Sequence, residues 1–181
     1  MEEHLIIDHL QAEEAQKRSK GFKYLIEAYQ ERVYWHIRKM VVDHDDADDL
    51  TQEVFIKVHT HFHQFKGESA LFTWIYRIAS NEALAFLRKK RNKFFIPIVD
   101  VEGELIQKVD QQEYLDGDEI QLRLKKAILR LPPQQQLVFN MKYFDDLKYE
   151  QIAEIVGKSV GGCKANYHHA VKKIESFLQN D

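Results

Sequence analysis

A single cysteine, Cys163, stands among 181 residues. No disulfide can therefore form within the chain, and a reducing compartment suits it. Three prolines and seven glycines are too few for an all-β chain, which needs turn formers every few residues. Long apolar runs are missing as well. No stretch approaches the ~18 uninterrupted apolar residues that a membrane-crossing helix requires, so no membrane insertion is expected. The opening MEEHLIIDHLQAEEAQ is acidic where a secretory leader would be basic and then apolar, so a cytoplasmic placement is expected. What the chain does have is 44% apolar and 12% aromatic residues. That is ample for one large core or two small ones.

The net charge of −3 hides a sorting of charges into blocks. Residues 43–53, DHDDADDLTQE, carry six acids and no Lys or Arg. Residues 88–93, RKKRNK, carry five bases and no acid. Residues 100–119 hold eight acids against one lysine. Between Glu154 and Glu175 lie four lysines and two histidines without an acid. Two basic patches are thus separated by an acidic tract.

Apolar spacing predicts helices throughout. Phe22, Leu25, Ile26, Tyr29, Val33, Ile37, Met40 and Val41 form one stripe. A second helix is predicted from Asp45 or Asp46, either of which can cap it, to about His63. Gly67-Glu68-Ser69 marks a loop before a third helix over about 70–92. The pattern lapses over 94–121, where Pro97, Gly103, Gly117 and the acids read as a linker. It returns at Leu122, ends at Pro132-Pro133, and resumes over 134–144 and 149–178 with a break at Gly157. The expected fold is all-α. A helical domain spans 1–93, with 1–19 expected to be flexible, followed by an acidic linker over 94–121 and a second helical domain over 122–181.

YEQIAEIVGKSVGGCKANYHHAVKKI, residues 149–174, has the pattern of a helix-turn-helix. Ala153 lets the two helices approach, and Gly157 permits the positive φ of the turn. Ile152, Ile155 and Val156 supply the first helix's inner face, and Val160, Cys163, Tyr167, Ala170 and Ile174 the second's. The opposite face carries Gly161, Lys164, Ala165, His168, His169 and Lys172. It is basic and free of acids, as entry into a DNA major groove requires. The plainer alternative is a helical hairpin with a solvated lysine face.

FKGESALFTWIYRIASNEALAFLRKKRNK, residues 65–93, sets aromatic rings beside cations. Rings can stack on unpaired bases, worth about 1–3 kcal/mol per base, while cations neutralise phosphate. At helical spacing most rings are core, and Trp74 and Phe86 are expected to be buried. The acidic run before this stretch does not fit a calcium loop started at Asp43. Ala47, Asp48 and Val54 stand where that loop needs Asp or Asn, Gly, and Glu. His59, His61 and His63 lack the glutamate and third ligand of a catalytic metal motif. No metal, cofactor or catalytic residue is expected.

Two stretches resemble one family. DADDLTQEVFIKVHTHFHQFKGESALFTWIYRIASNEALAFLRKKRNK is similar to region two of an extracytoplasmic-function sigma factor, the specificity subunit of bacterial RNA polymerase. LRLKKAILRLPPQQQLVFNMKYFDDLKYEQIAEIVGKSVGGCKANYHHAVKKIESFL is similar to region four. The resemblance covers about 20–93 and 122–178. It implies that Asp46, Asp49, Gln52, Glu53, Phe55 and Ile56 meet the core polymerase. It implies that the loop with Lys66, Glu68 and Ser69 recognises and opens the minus-ten element, with Phe72, Trp74, Tyr76, Arg77 and Asn81 at or supporting a flipped-base pocket. Arg88, Lys89 and Arg91 would hold nearby phosphates. The second helix of region four would read the minus-thirty-five element through Ser159, Gly161, Gly162, Lys164, Ala165 and Asn166. His168, His169, Lys172 and Lys173 complete that set.

The recognition helix departs from the family. Where relatives often carry SVGTVKSRLHRA, this chain reads SVGGCKANYHHA, so fewer long donors face the groove and the promoter sequence does not carry over. Implied partners are core RNA polymerase, promoter DNA and an anti-sigma factor, with the free protein a monomer. The two promoter elements, about 17 base pairs apart, are separated by nearly 60 Å at ~3.4 Å per step. A 28-residue linker spans about 30 Å relaxed and roughly 90 Å stretched. Its acids would suit a basic polymerase channel, so neutralising them is expected to impair initiation while sparing core binding. The alternative function is an autonomous helix-turn-helix regulator. The overall acidity disfavours it, because the resemblance implies a protein that needs core enzyme before it binds DNA well.

Overall fold

A computed structural model describes residues 3–93, 106 and 119–180. Among them the chain forms eight α-helices: α1 (Glu3–Gln11), α2 (Ala15–Val41), α3 (His44–His61), α4 (Leu71–Lys93), α5 (Glu119–Leu129), α6 (Pro133–Tyr143), α7 (Tyr149–Val156) and α8 (Val160–Asn180). A single 3₁₀ turn, Phe62–Gln64, follows α3. The architecture is all-α, with α1–α4 forming one group and α5–α8 the other. The expected linker lies outside the described residues except for Ile106 and residues 119–121, and the last three open α5 rather than closing the linker.

The longest helix shows how the pattern becomes structure. On α2, Leu25, Tyr29, Val33, His36, Ile37, Met40 and Val41 fall inside at spacings of three and four. Val42 then takes a positive φ of 67° and donates its N–H to Arg38 O, stopping the helix. A β-branched residue rarely adopts that geometry. Asp43 caps α3, its side chain accepting the Asp46 N–H at 3.1 Å. The cap is thus Asp43, not Asp45 or Asp46. Those two acids lie in the helix's first turn, where they face its positive end.

The expected flexible stretch includes a helix among its described residues. Residues 3–11 form α1, which buries Ile6 and Leu10 against the first domain's core. Its close approach rests on Gly21 of α2, where a Cβ would stand 2.7 Å from His9 Cβ and 2.9 Å from Leu10 N. Only glycine leaves room.

The helix before Pro132-Pro133 ends at Leu129, and the pair also starts the next one: Pro132 is extended and Pro133 opens α6, one residue before the expected start at Gln134. All six residues from Gln136 to Met141 are buried, because α6 is covered on several sides. Phe139 joins Ala127, Ile128, Leu131, Ala170 and Ile174 in the second domain's own core. Leu137, Val138 and Met141 belong instead to a core continuous with α2 and α4. The two domains are therefore packed together.

Their contact uses helix ends. The last carbonyls of a helix have no partner within it. Lys39 O, in the last turn of α2, accepts from Gln136 Nε2 at 3.2 Å and more weakly from Asn140 Nδ2 at 3.4 Å. Glu154 O, in the last turn of α7, accepts from Arg77 Nη2 at 2.7 Å and Nε at 3.1 Å. Each domain thus satisfies a helix end of the other. Between these two contacts Asp145 pairs with Lys39 and faces His36, its Oδ2 lying 3.7 Å from His36 Nδ1. Burial pushes the Asp145 carboxyl up, but His36 and Lys39 beside it outweigh that and hold it below its ordinary value.

Candidate polymerase and promoter interfaces

Three surfaces carry the residues singled out above. The first is a ridge on α3. Asp49, Gln52, Glu53 and Ile56 are exposed at helical spacing, and Ile56, 65% exposed, is an apolar side chain left in water at the C-terminal end of that acidic run. Asp46 is half-buried and lies 3.9 Å from Lys90 of α4. Phe55 points into the core, so it fixes the ridge from behind.

The second surface runs along α4 and the loop before it. Phe65 is buried, its ring 5.5 Å from Trp74, and Gly67 turns the chain at φ 73°. Lys66 and Glu68 are exposed beyond that anchor, with Ser69 half-buried. The rings of this stretch divide differently from expectation. Phe72 and Tyr76 are inside, 4.1 Å apart, and Tyr76 donates its hydroxyl to Arg32 O. Burial raises the Tyr76 phenol well above its ordinary value, with Asp145 adding to the rise. Trp74 and Phe86, expected inside, are half-buried. Trp74 leans on Phe62 and Phe65 at the loop's base. Arg77, Asn81, Arg88 and Lys89 are exposed, and Arg77, Asn81 and Arg88 share one face of α4. Arg77 is occupied at its guanidinium by the α7 carbonyl. Residues 91–93 continue α4, and the Arg91 side chain lies outside the described residues.

The third surface is α7, its turn and α8. Gly157 takes φ 66°, ending α7 in the left-handed conformation. Ser159 Oγ accepts the Gly162 N–H at 3.0 Å, capping α8. Ile152, Ala153, Ile155, Cys163, Ala170 and Ile174 are buried, while Val156, Val160 and Tyr167 are half-buried. Burial pushes the Cys163 thiol up, as suits a small core residue. Lys164, Ala165, His168, His169, Lys172 and Lys173 are exposed along α8, with Gly161 at its start and Gly162 and Asn166 half-buried. The Lys164 ammonium lies 5.7 Å from the ring centre of half-buried Tyr149 on α7, a cation–π contact.

This is a helix-turn-helix whose outer face is cationic and open, joined in one molecule to an acidic ridge and a loop-and-helix surface. Family comparison gives those parts their class. Residues 25–93 match Sigma-70 region 2, and residues 121–174 match Sigma-70, region 4. The RNA polymerase sigma-H factor of Pseudomonas aeruginosa is 30% identical over 176 residues, covering 88% of this chain and 87% of that one. The ECF RNA polymerase sigma-E factor of Escherichia coli is 30% identical over 185 residues, covering 96% and 95%. The fold resembles the sigma factor RpoE of Bartonella quintana, solved in complex with the anti-sigma factor NepR. That match has a TM-score of 0.67 and 21% identity, covering 90% of this chain and 99% of that one. The chain belongs to the extracytoplasmic-function sigma factors of bacterial RNA polymerase.

Sequence reasoning missed the groups at the domain contact. His36 carried a signal, a histidine inside the apolar stripe of α2. Asp145 carried none, and Arg77 was singled out only for the minus-ten surface, because the partners of both come from the other domain.

Proposed function

We propose that the α3 ridge docks on the core polymerase, that the loop over 66–70 with α4 captures and opens the minus-ten element, and that α8 reads the minus-thirty-five element. The carrying observation is the α8 face, where Lys164, His168 and Lys172 stand exposed without an intervening acid. Lysine there neutralises phosphate, and the glycines and alanine at its start allow close approach to the groove. The chain itself does no chemistry; it acts in the cytoplasm on the polymerase, which supplies the catalysis. An anti-sigma factor is a further proposed partner, on the strength of the Bartonella quintana complex.

The packed arrangement is a resting form of this device. Arg77 is engaged by Glu154, and the domains touch, whereas the promoter elements they would contact stand nearly 60 Å apart. The contact is also imperfect: Asn140 Oδ1 is buried without a hydrogen-bond partner among the described residues, a cost of about 1–3 kcal/mol that parting the domains relieves. The test is reconstitution of the chain with bacterial core polymerase on genomic templates. Promoter-dependent initiation is expected, and its absence despite a formed complex would remove the reading. Binding of promoter DNA by the chain alone, equally tight with or without core enzyme, would favour an autonomous regulator.

A further inference from the structure

The loop over 66–70 has one end fixed by a residue from the far end of its own domain. At its start, Phe65 is buried and its N–H donates to Phe62 O at 2.9 Å. At its end, the N–H of Leu71, the first residue of α4, donates to Glu3 Oε1 at 2.6 Å, across 68 positions of sequence. That amide is among the helix's first four, which have no partner within the helix, and a carboxylate there also meets the positive end of the helix dipole. The other oxygen, Glu3 Oε2, accepts from the Tyr29 hydroxyl at 3.2 Å. Burial and the Glu3 charge push that phenol up to about 12, so it stays a donor across physiological pH. The carboxylate is in turn held by α1, which Ile6, Leu10 and the Gly21 contact clamp onto α2.

We propose that Glu3 is a positioning residue for promoter melting: α1 delivers its carboxylate to the N-terminus of α4 and so fixes the downstream end of the base-capturing loop over 66–70. The inference rests on the minus-ten reading above. Without Glu3 the first turn of α4 frays, and the loop samples conformations that cannot receive a base. Core docking through α3 and minus-thirty-five contact through α8 do not depend on that end of α4.

The experiment uses the full chain in complex with core polymerase and a fork-junction DNA whose minus-ten strand is unpaired. A second DNA is identical but abasic at the captured position. Glu3→Ala is expected to weaken binding to the intact fork by about five-fold, the scale of a lost helix cap, while binding the abasic fork and free core enzyme as wild type does. Glu3→Gln keeps a neutral acceptor and is expected to recover most of the loss. Amide exchange at Leu71 should quicken in Glu3→Ala and return toward wild type in Glu3→Gln. Gly21→Ala, which forces α1 outward, should reproduce the intact-fork defect with Glu3 present. Equal losses on both DNAs, or an unchanged intact-fork affinity, would overturn the proposal. If the wild-type complex itself fails to distinguish intact from abasic DNA, the minus-ten assignment falls first and takes the role of Glu3 with it.

Discussion

Asp49 sits on an exposed ridge with no hydrogen bond or ion pair among the described residues, which makes it the cleanest residue for separating binding from stability. Asp49→Lys reverses a charge in the middle of the acidic block that would meet a basic surface. Charge reversal acts on encounter and on complementarity, so affinity for core polymerase should fall by about ten-fold with the unfolding midpoint unchanged. Equal affinity would remove the docking assignment. Lys164→Ala should weaken promoter binding by the holoenzyme and lower its salt dependence by about one unit of slope, the signature of one lost phosphate contact. Single residues were legible to different depths. The exposed set on α8 follows from helical spacing, because Cys163, Ala170 and Ile174 mark its inner side. The rings of α4 were harder, since Phe72, Trp74 and Tyr76 lie within five residues and spacing alone does not say which faces outward. Phe72 is covered by the Arg32 guanidinium, 4.5 Å from its ring centre, a contact that comes from another helix.

At the scale of elements, the turn between α7 and α8 rests on Gly157. Nothing lies within 4 Å of a Cβ placed there, yet its φ of 66° is one that L side chains avoid. Gly157→Ala should therefore cost about 1–2 kcal/mol through backbone strain alone, read as a lower thermal midpoint with weaker minus-thirty-five binding. An unchanged midpoint would mean that the turn relaxes into another geometry. The sequence predicted α3, α4 and the α7–α8 pair with their ends within a few residues, whereas α2 begins at Ala15, well before the first stripe residue Phe22, with no capping side chain at its start. It did not predict α1. Nine residues with four acids or histidines among them give a weak pattern, and the helix is held by tertiary contact with α2 and not by propensity. The α3 cap shows a smaller miss: with Asp at 43, 45 and 46, only the backbone geometry selects Asp43.

For the whole molecule, the domain contact is the part least visible in the sequence. Val138 and Met141 belong to a helix with its own core partners, so their apolar character fits an isolated domain as well as a packed pair. Asp145 links the two domains through Lys39 and His36, and its carboxyl is held below its ordinary value of 3.8. A depressed carboxylate contributes stability above its unfolded value and loses it as pH falls through the folded one. The link is thus complete at neutral pH and is lost only in strong acid. Asp145→Asn should loosen it without acid, seen as a larger radius of gyration in solution scattering while both domains stay folded. An unchanged radius would show that the apolar contact alone suffices. On this proposal polymerase draws two touching modules apart to meet two ends of one promoter. The most direct measurement is the distance between a fluorophore on the exposed face of α3 and another on α8, followed as core polymerase and promoter DNA are added. It should lengthen from the contact distance toward about 60 Å, the separation of the two elements. A distance that stays at its free value while transcription initiates would contradict the account.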